Sequence, residues 1–195
     1  YDGGPLLVLA GAGSGKTRVI VHRIVHLLRA QGVSAESILA VTFTNKAAEE
    51  MANRVSALLG YEGARVWVST FHKLGAAILR RHIDKLGYPI SFVIYDDSDQ
   101  LSLIKRVMEE QGLDPKQVNP KVIRAAIDRL KREAVPEEEY GEHPDPLVQV
   151  HLPLIKLYQK RLRESMAVDF GDLLYLTWRL FEEFPQVLAE YQERF

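Results

Sequence analysis

The chain has 195 residues, 47% of them hydrophobic and 26% charged, enough to bury a core and too apolar for a disordered chain. It has no cysteine, which excludes a disulfide scaffold, thiolate metal sites and a cysteine nucleophile, and its six histidines are scattered. No apolar run reaches the roughly 20 residues that span a bilayer. The opening Tyr1-Asp2-Gly3-Gly4 lacks a methionine and the basic and apolar regions of a signal peptide, so the sequence reads as a piece of an intracellular, cytoplasmic protein. The net charge of -1 conceals an asymmetry: residues 1–95 carry 11 Lys/Arg against 6 Asp/Glu, and residues 96–195 carry 14 against 20. A basic half favours phosphates or nucleic acid; the alternative is chance clustering on a solvated surface.

The first half alternates strand and helix. Leu6–Ala10 is a short apolar run expected to form a buried strand. A glycine-rich turn follows, then a helix over residues 15–30 with Ile20, Ile24, Leu27 and Leu28 at helical spacing. Residues 38–43 and 65–69 read as further strands, and 92–95 as a fourth. Between them the pattern predicts helices over 45–59, stopped by Gly60, and over 71–86, stopped by Gly87. Such alternation implies an α/β fold, a parallel sheet with helices on its faces. From Asp96 onward the chain reads as helices at 98–110, 120–132, 147–163, 169–184 and 186–195. Residues 135–146, with three prolines and five acids, read as a loop. The change from alternating to helical pattern falls at 95–97.

The run Ala10-Gly11-Ala12-Gly13-Ser14-Gly15-Lys16-Thr17 between a strand and a helix has the form of a phosphate-binding P-loop. Its glycines let the backbone wrap a phosphate chain, and the amides at the helix start point at it. Lys16 would reach the β- and γ-phosphates of ATP, and the Thr17 hydroxyl would ligate Mg²⁺. The first glycine of the pattern is replaced by Ala10. At the end of the next strand, Phe43-Thr44-Asn45-Lys46 offers hydroxyl, amide and amine groups for phosphate oxygens and a ring for a base. Its alternative is a helix cap at Thr44 or Asn45 with Phe43 in the core. Ser69-Thr70-Phe71-His72 repeats the arrangement one strand later, with His72 read either as a phosphate contact or as a cap. Ligands gather at the carboxyl ends of strands in open parallel sheets. Two acids offer the carboxylate an ATPase needs: Asp96, at the end of residues 92–95, and Asp169. Each has the alternative role of starting a helix, with Asp97 or Ser98 the expected cap in the first case.

These segments, in this order, resemble the UvrD/Rep/PcrA family of superfamily-one DNA helicases. AGAGSGKTR resembles the family's motif I, VTFTNKAAEEM its motif Ia, VSTFHKLGAAILR its motif Ib, and VDFGDLL at 168–174 the return from its inserted helical subdomain. The resemblance implies a RecA-like P-loop subdomain (1A) beginning in residues 1–95, a helical insertion (1B) over 96–168, and helices returning to 1A over 169–195. It implies that Ala10, Gly11, Ala12, Gly13, Ser14, Gly15, Lys16, Thr17 and Arg18 hold ATP and Mg²⁺, with Lys16 and Thr17 serving catalysis. It implies that Phe43, Thr44, Asn45, Thr70 and His72 contact single-stranded DNA, that Lys131 and Arg132 touch duplex at the junction, and that Asp96 marks the entrance of the insertion.

The family's adenine-contacting glutamine lies upstream of motif I, and its Asp-Glu motif II follows a helix resembling residues 186–195. Neither is in this sequence, nor is the second RecA-like domain. The expectation is therefore a helicase in the parent protein, moving 3′ to 5′, and no turnover by this chain alone. A nucleotide- or DNA-binding module without catalysis and a small P-loop kinase using Asp96 are the other readings. In the family's sheet order the strands of motifs II and III separate the P-loop strand from those of Ia and Ib. The sheet is thus expected to be incomplete, with the gap filled by a second chain or a swapped segment, or the P-loop strand displaced.

Overall fold

The structure, a computed structural model, describes residues 4–11, 13–114 and 118–195. They pack as two units: the chain up to Thr70 together with Arg194 and Phe195, and Phe71–Glu193. The packing division therefore falls at Thr70, ahead of the change in sequence pattern at 95–97.

The first unit contains helix α1 (Lys16–Arg29), strand β1 (Leu39–Thr42), helix α2 (Asn45–Leu59) and strand β2 (Trp67–Thr70). β1 and β2 pair in parallel, Leu39 opposite Trp67 and Thr42 opposite Thr70. The helices lie where the 3.6-residue spacing of apolar side chains puts them. Val21, Ile24 and Leu28 of α1 and Met51 and Val55 of α2 meet Ile38, Ala40 and Val66 in one core. α2 begins at a Thr44 cap, whose hydroxyl accepts from the Ala47 amide at 3.2 Å, and ends at Gly60. Beside Trp67 the Arg194 guanidinium lies 5.4 Å from the ring centroid, and Phe195 packs against the same ring at 5.8 Å.

Leu6–Ala10 is not a strand. The segment joins no sheet, and Leu7 and Leu9 are 81% and 86% exposed. A strand exists only through its ladder to a neighbour, and β1 pairs only with β2 among the described residues.

The second unit contains α3 (Phe71–His82), β3 (Val93–Tyr95), α4 (Asp97–Glu110), α5 (Pro120–Arg132), α6 (Pro146–Glu164), β4 (Ala167–Asp169), α7 (Phe170–Glu183) and α8 (Pro185–Arg194). It has two cores. Leu103, Ile104, Ile127, Leu130, Ile155 and Tyr158 fill the space among α4, α5 and α6. Leu79, Phe92, Leu173, Leu176, Leu180 and Val187 fill that among α3, α7 and α8. β4 serves both: Ala167 belongs to the first core and Val168 to the second, as alternating side chains of a strand must point to opposite faces. β4 pairs in parallel with β3, Val93 opposite Ala167 and Tyr95 opposite Asp169. The parallel pairing read from the sequence as one sheet is thus two separate two-stranded sheets among the described residues.

α3 and α7 approach closely at Gly75. A Cβ there would stand 2.3 Å from the Leu173 carbonyl oxygen, so only glycine permits this crossing. The start of α4 corrects the expected cap. Asp96 caps it, accepting from the Ser98 and Asp99 amides at 2.7 and 2.9 Å, while its own amide donates to the Asp99 carboxylate at 3.1 Å. No helix among the described residues is long and apolar enough to cross a membrane.

Candidate functional site

The loop before α1 has the backbone an anion cradle needs. Gly13 and Gly15 take φ of 73° and 89°, a region closed to most side chains, and Gly15 is the residue from which α1 starts. No side chain caps α1 and its first turn holds no acid, so its leading amides and positive dipole end remain for a ligand. Lys16 Nζ donates to the carbonyls of Ala10 at 3.1 Å and Gly11 at 2.6 Å, and Ser14 Oγ donates to Gly11 O at 2.7 Å. The amine therefore folds over its own loop, the position from which it can transfer to phosphate oxygens. Thr17, in the first turn of α1, is half-buried beside it. An open hollow of about 570 Å³ runs along the loop, lined by Gly13, Ser14, Gly15, Arg18, Val19 and His22. Arg18, expected beside the nucleotide, stands on this lining with His22, one turn further on the same helix. Ala12 lies outside the described residues.

The turn from β1 to α2 resolves the two readings of motif Ia. Phe43 is 88% exposed, which excludes the core role, and Thr44, Asn45 and Lys46 are exposed with it. Thr44 is also the α2 cap, so capping and exposure coexist. The Thr44 amide donates to Thr42 Oγ1 at 3.3 Å, fixing the turn that presents Phe43. Thr42 stands in register with Thr70 at the carboxyl ends of β1 and β2. Ser69 and Thr70 are buried. His72 lies in the first turn of α3, half-buried, its ring edge-on to Phe170 at 6.0 Å.

Two expected roles change. Asp96 is engaged as a cap by two amides and the Ser98 hydroxyl, and these hydrogen bonds hold its carboxyl below the usual range. Lys131, expected on a duplex-facing surface, is buried at 3% exposure. Its Nζ lies 2.6 Å from Asp169 Oδ2 and 2.8 Å from Asp172 Oδ1. Burial would lower its pKa, but the two carboxylates outweigh burial and hold it above the ordinary lysine range. Arg132, its neighbour, is exposed. In the sequence Asp169 read as the start of a helix, while in the structure it forms a capping box with Asp172, and nothing in that segment signals a lysine from another helix. Among the described residues no group of three or more His, Asp or Glu is arranged to hold a metal ion.

The chain is 45% identical over 196 residues to the ATP-dependent DNA helicase PcrA of Bacillus subtilis (strain 168), covering 98% of this chain and 26% of that protein. It is 46% identical over 193 residues to the protein of the same name from Staphylococcus epidermidis and 45% to that from Staphylococcus aureus, again with 98% and 26% coverage. The chain thus spans about a quarter of the length of these relatives. The UvrD/REP helicase N-terminal domain matches across residues 1–195. With an α/β fold of short parallel sheets and the motif I loop at the head of α1, the chain belongs to the UvrD/REP helicase N-terminal domain family.

Proposed function

We propose that this chain is the nucleotide-binding and strand-binding opening portion of an ATP-dependent DNA helicase, a 3′ to 5′ translocase in its full-length form. In this reading residues 1–95 begin the RecA-like subdomain 1A, residues 96–168 form the inserted subdomain 1B, and residues 169–195 return to 1A. ATP lies in the hollow along α1. Its phosphates take the amides from Gly13 to Thr17, Lys16 turns from the loop carbonyls to the β- and γ-phosphates, and Arg18 flanks the nucleotide. Thr17 Oγ1 would be a ligand of Mg²⁺, which would supply positive charge to the phosphates.

The single observation that carries the DNA reading is Phe43. A large ring left 88% exposed on a turn of polar residues, beside the paired strand ends Thr42 and Thr70, fits base stacking with phosphate contacts from Asn45 and Lys46. Closure of a cleft against a second RecA-like domain would ratchet the strand across these groups. Asp96 supports no kinase reading, because its carboxylate is committed to the start of α4.

The test is the ATPase rate of the full-length protein with and without single-stranded DNA. Stimulation that is lost in Lys16→Ala supports the helicase reading. A DNA-independent rate unaffected by Lys16→Ala would overturn it.

A further inference from the structure

The second unit carries a cavity of about 450 Å³ between α5 and α7, with His72 on its lining. Gly171, Leu174 and Trp178 supply one wall, at the three- and four-residue spacings that place side chains on a single helix face. Leu174 and Trp178 are 41% and 43% exposed and give the cavity an apolar wall. The Trp178 indole rests on Tyr175, ring centroids 6.1 Å apart, so it is held in place rather than loose. The facing wall is polar: Asp128 and Arg132 stand four residues apart on α5. Asp128 takes a hydrogen bond from Gln100 Nε2 at 3.1 Å, and burial holds its carboxyl above the usual range. Arg132 enters no ion pair among the described residues, while the charge of Lys131 at the base of the cavity is consumed by Asp169 and Asp172.

We propose that this cavity holds one unpaired base of a single-stranded nucleic acid, stacked on Trp178, with the adjoining phosphate on Arg132. The occupant must offer a flat apolar face to the indole, hydrogen-bond donors to Asp128 and a negative charge to Arg132. A wholly apolar ligand would strip water from Asp128 and Arg132 without replacing it. A nucleotide supplies all three features, and only an unpaired one can, since a paired base hides its faces in the stack. The inference rests on the proposed reading of the chain as a strand-binding portion of a DNA helicase.

The experiment uses the 195-residue chain with Trp67→Phe, which leaves Trp178 as the only one of its two tryptophans. Fluorescein-labelled oligo-dT is titrated at low salt, following label anisotropy and, with unlabelled oligo-dT, indole emission. The expected result is saturable quenching of Trp178 with the midpoint seen by anisotropy, and none with a blunt duplex. Trp178→Ala and Arg132→Gln should each weaken binding about ten-fold, and Trp178→Phe should restore most of it. Circular dichroism checks each fold, and Arg132→Gln, at an exposed position, keeps the test standing if Trp178→Ala unfolds. Binding with unchanged Trp178 emission and wild-type affinity in Arg132→Gln overturns the proposal, as does equal quenching by duplex. In those cases weakened binding by Phe43→Ala would show that the strand reading itself survives. No oligo-dT binding at any salt would sink both.

Discussion

Lys131 and Asp169 lie 38 residues apart in the chain and 2.6 Å apart in the fold. The same Asp169 oxygen accepts from Tyr158 Oη at 2.8 Å and from Gln100 Nε2 at 3.3 Å, so side chains from α4, α5 and α6 converge on the cap of α7. Asp172 completes the group 2.8 Å from the amine. Burial alone would raise the Asp169 pKa, but the amine, the Asp172 amide and the tyrosine hold it below the ordinary value. The cluster fastens the helical core of α4–α6 to the helix that packs on α3.

Removing the cation should expose how much depends on it. Lys131→Met leaves two buried carboxylates without their cation, and loss of one partner of a buried ion pair costs about 3–5 kcal/mol. Urea unfolding followed by circular dichroism should show that loss. Adding Asp169→Asn and Asp172→Asn to Lys131→Met should recover a large part of it. Wild-type stability in Lys131→Met would contradict the geometry.

Asp172 gives the cluster a pH signature. Burial, reinforced by the Asp169 carboxylate, pushes it up to about 6 despite Lys131. A carboxyl with a folded value above its unfolded value binds more protons in the folded state. Its contribution to stability therefore falls as pH rises from about 4 to about 6. Asp172→Asn has no such group. Its stability relative to wild type should rise as pH increases from about 4 to about 6. Parallel curves for the two proteins would refute this.

The contact of α3 with α7 should tolerate no side chain at position 75. The added Cβ of Gly75→Ala would lie 2.3 Å from Leu173 O and 3.1 Å from Thr177 Oγ1, and backbone cannot yield as a flexible side chain does. A loss of about 2–3 kcal/mol is expected. Gly87→Ala is a comparison in which the added Cβ meets nothing within 4 Å, and its cost should come only from the positive φ of 79°.

Phe43→Ala should separate binding from packing. Because the ring is exposed, unfolding free energy should change by less than about 0.5 kcal/mol. Affinity for single-stranded DNA should fall by about 1–3 kcal/mol if a base stacks on it. Lost stability with unaltered affinity would return the residue to a structural role.

The 195-residue chain alone should bind nucleotide weakly and not turn it over. Phosphoryl transfer to water needs a carboxylate on the metal, a group orienting water and cations on the γ-phosphate, and Lys16 and Thr17 supply only the phosphate-binding part. Phosphate release assays with Mg²⁺ and oligo-dT should stay at background. Turnover lost in Asp96→Asn would instead support the kinase reading.

What the sequence determined by itself was local. Helices close through hydrogen bonds four residues apart, so apolar spacing and boundary residues located α1, α2 and α5 within a residue or two, with Gly60 past the end of α2 and Pro120 opening α5. The P-loop was legible for the same reason: its glycines, lysine and helix start are contiguous. Tertiary structure decided whatever needed a distant partner. Leu6–Ala10 has the composition of a strand, yet without a neighbouring ladder it is an exposed segment. β4, three residues long, exists because β3 lies beside it, more than seventy residues earlier in the chain. Whether Phe43 faced the core or solvent could not follow from a strand-to-helix boundary that permits both. Lys131 was placed on a duplex-facing surface by the resemblance; the carboxylates of Asp169 and Asp172, from the start of α7, draw it inside, and no spacing within α5 records their position.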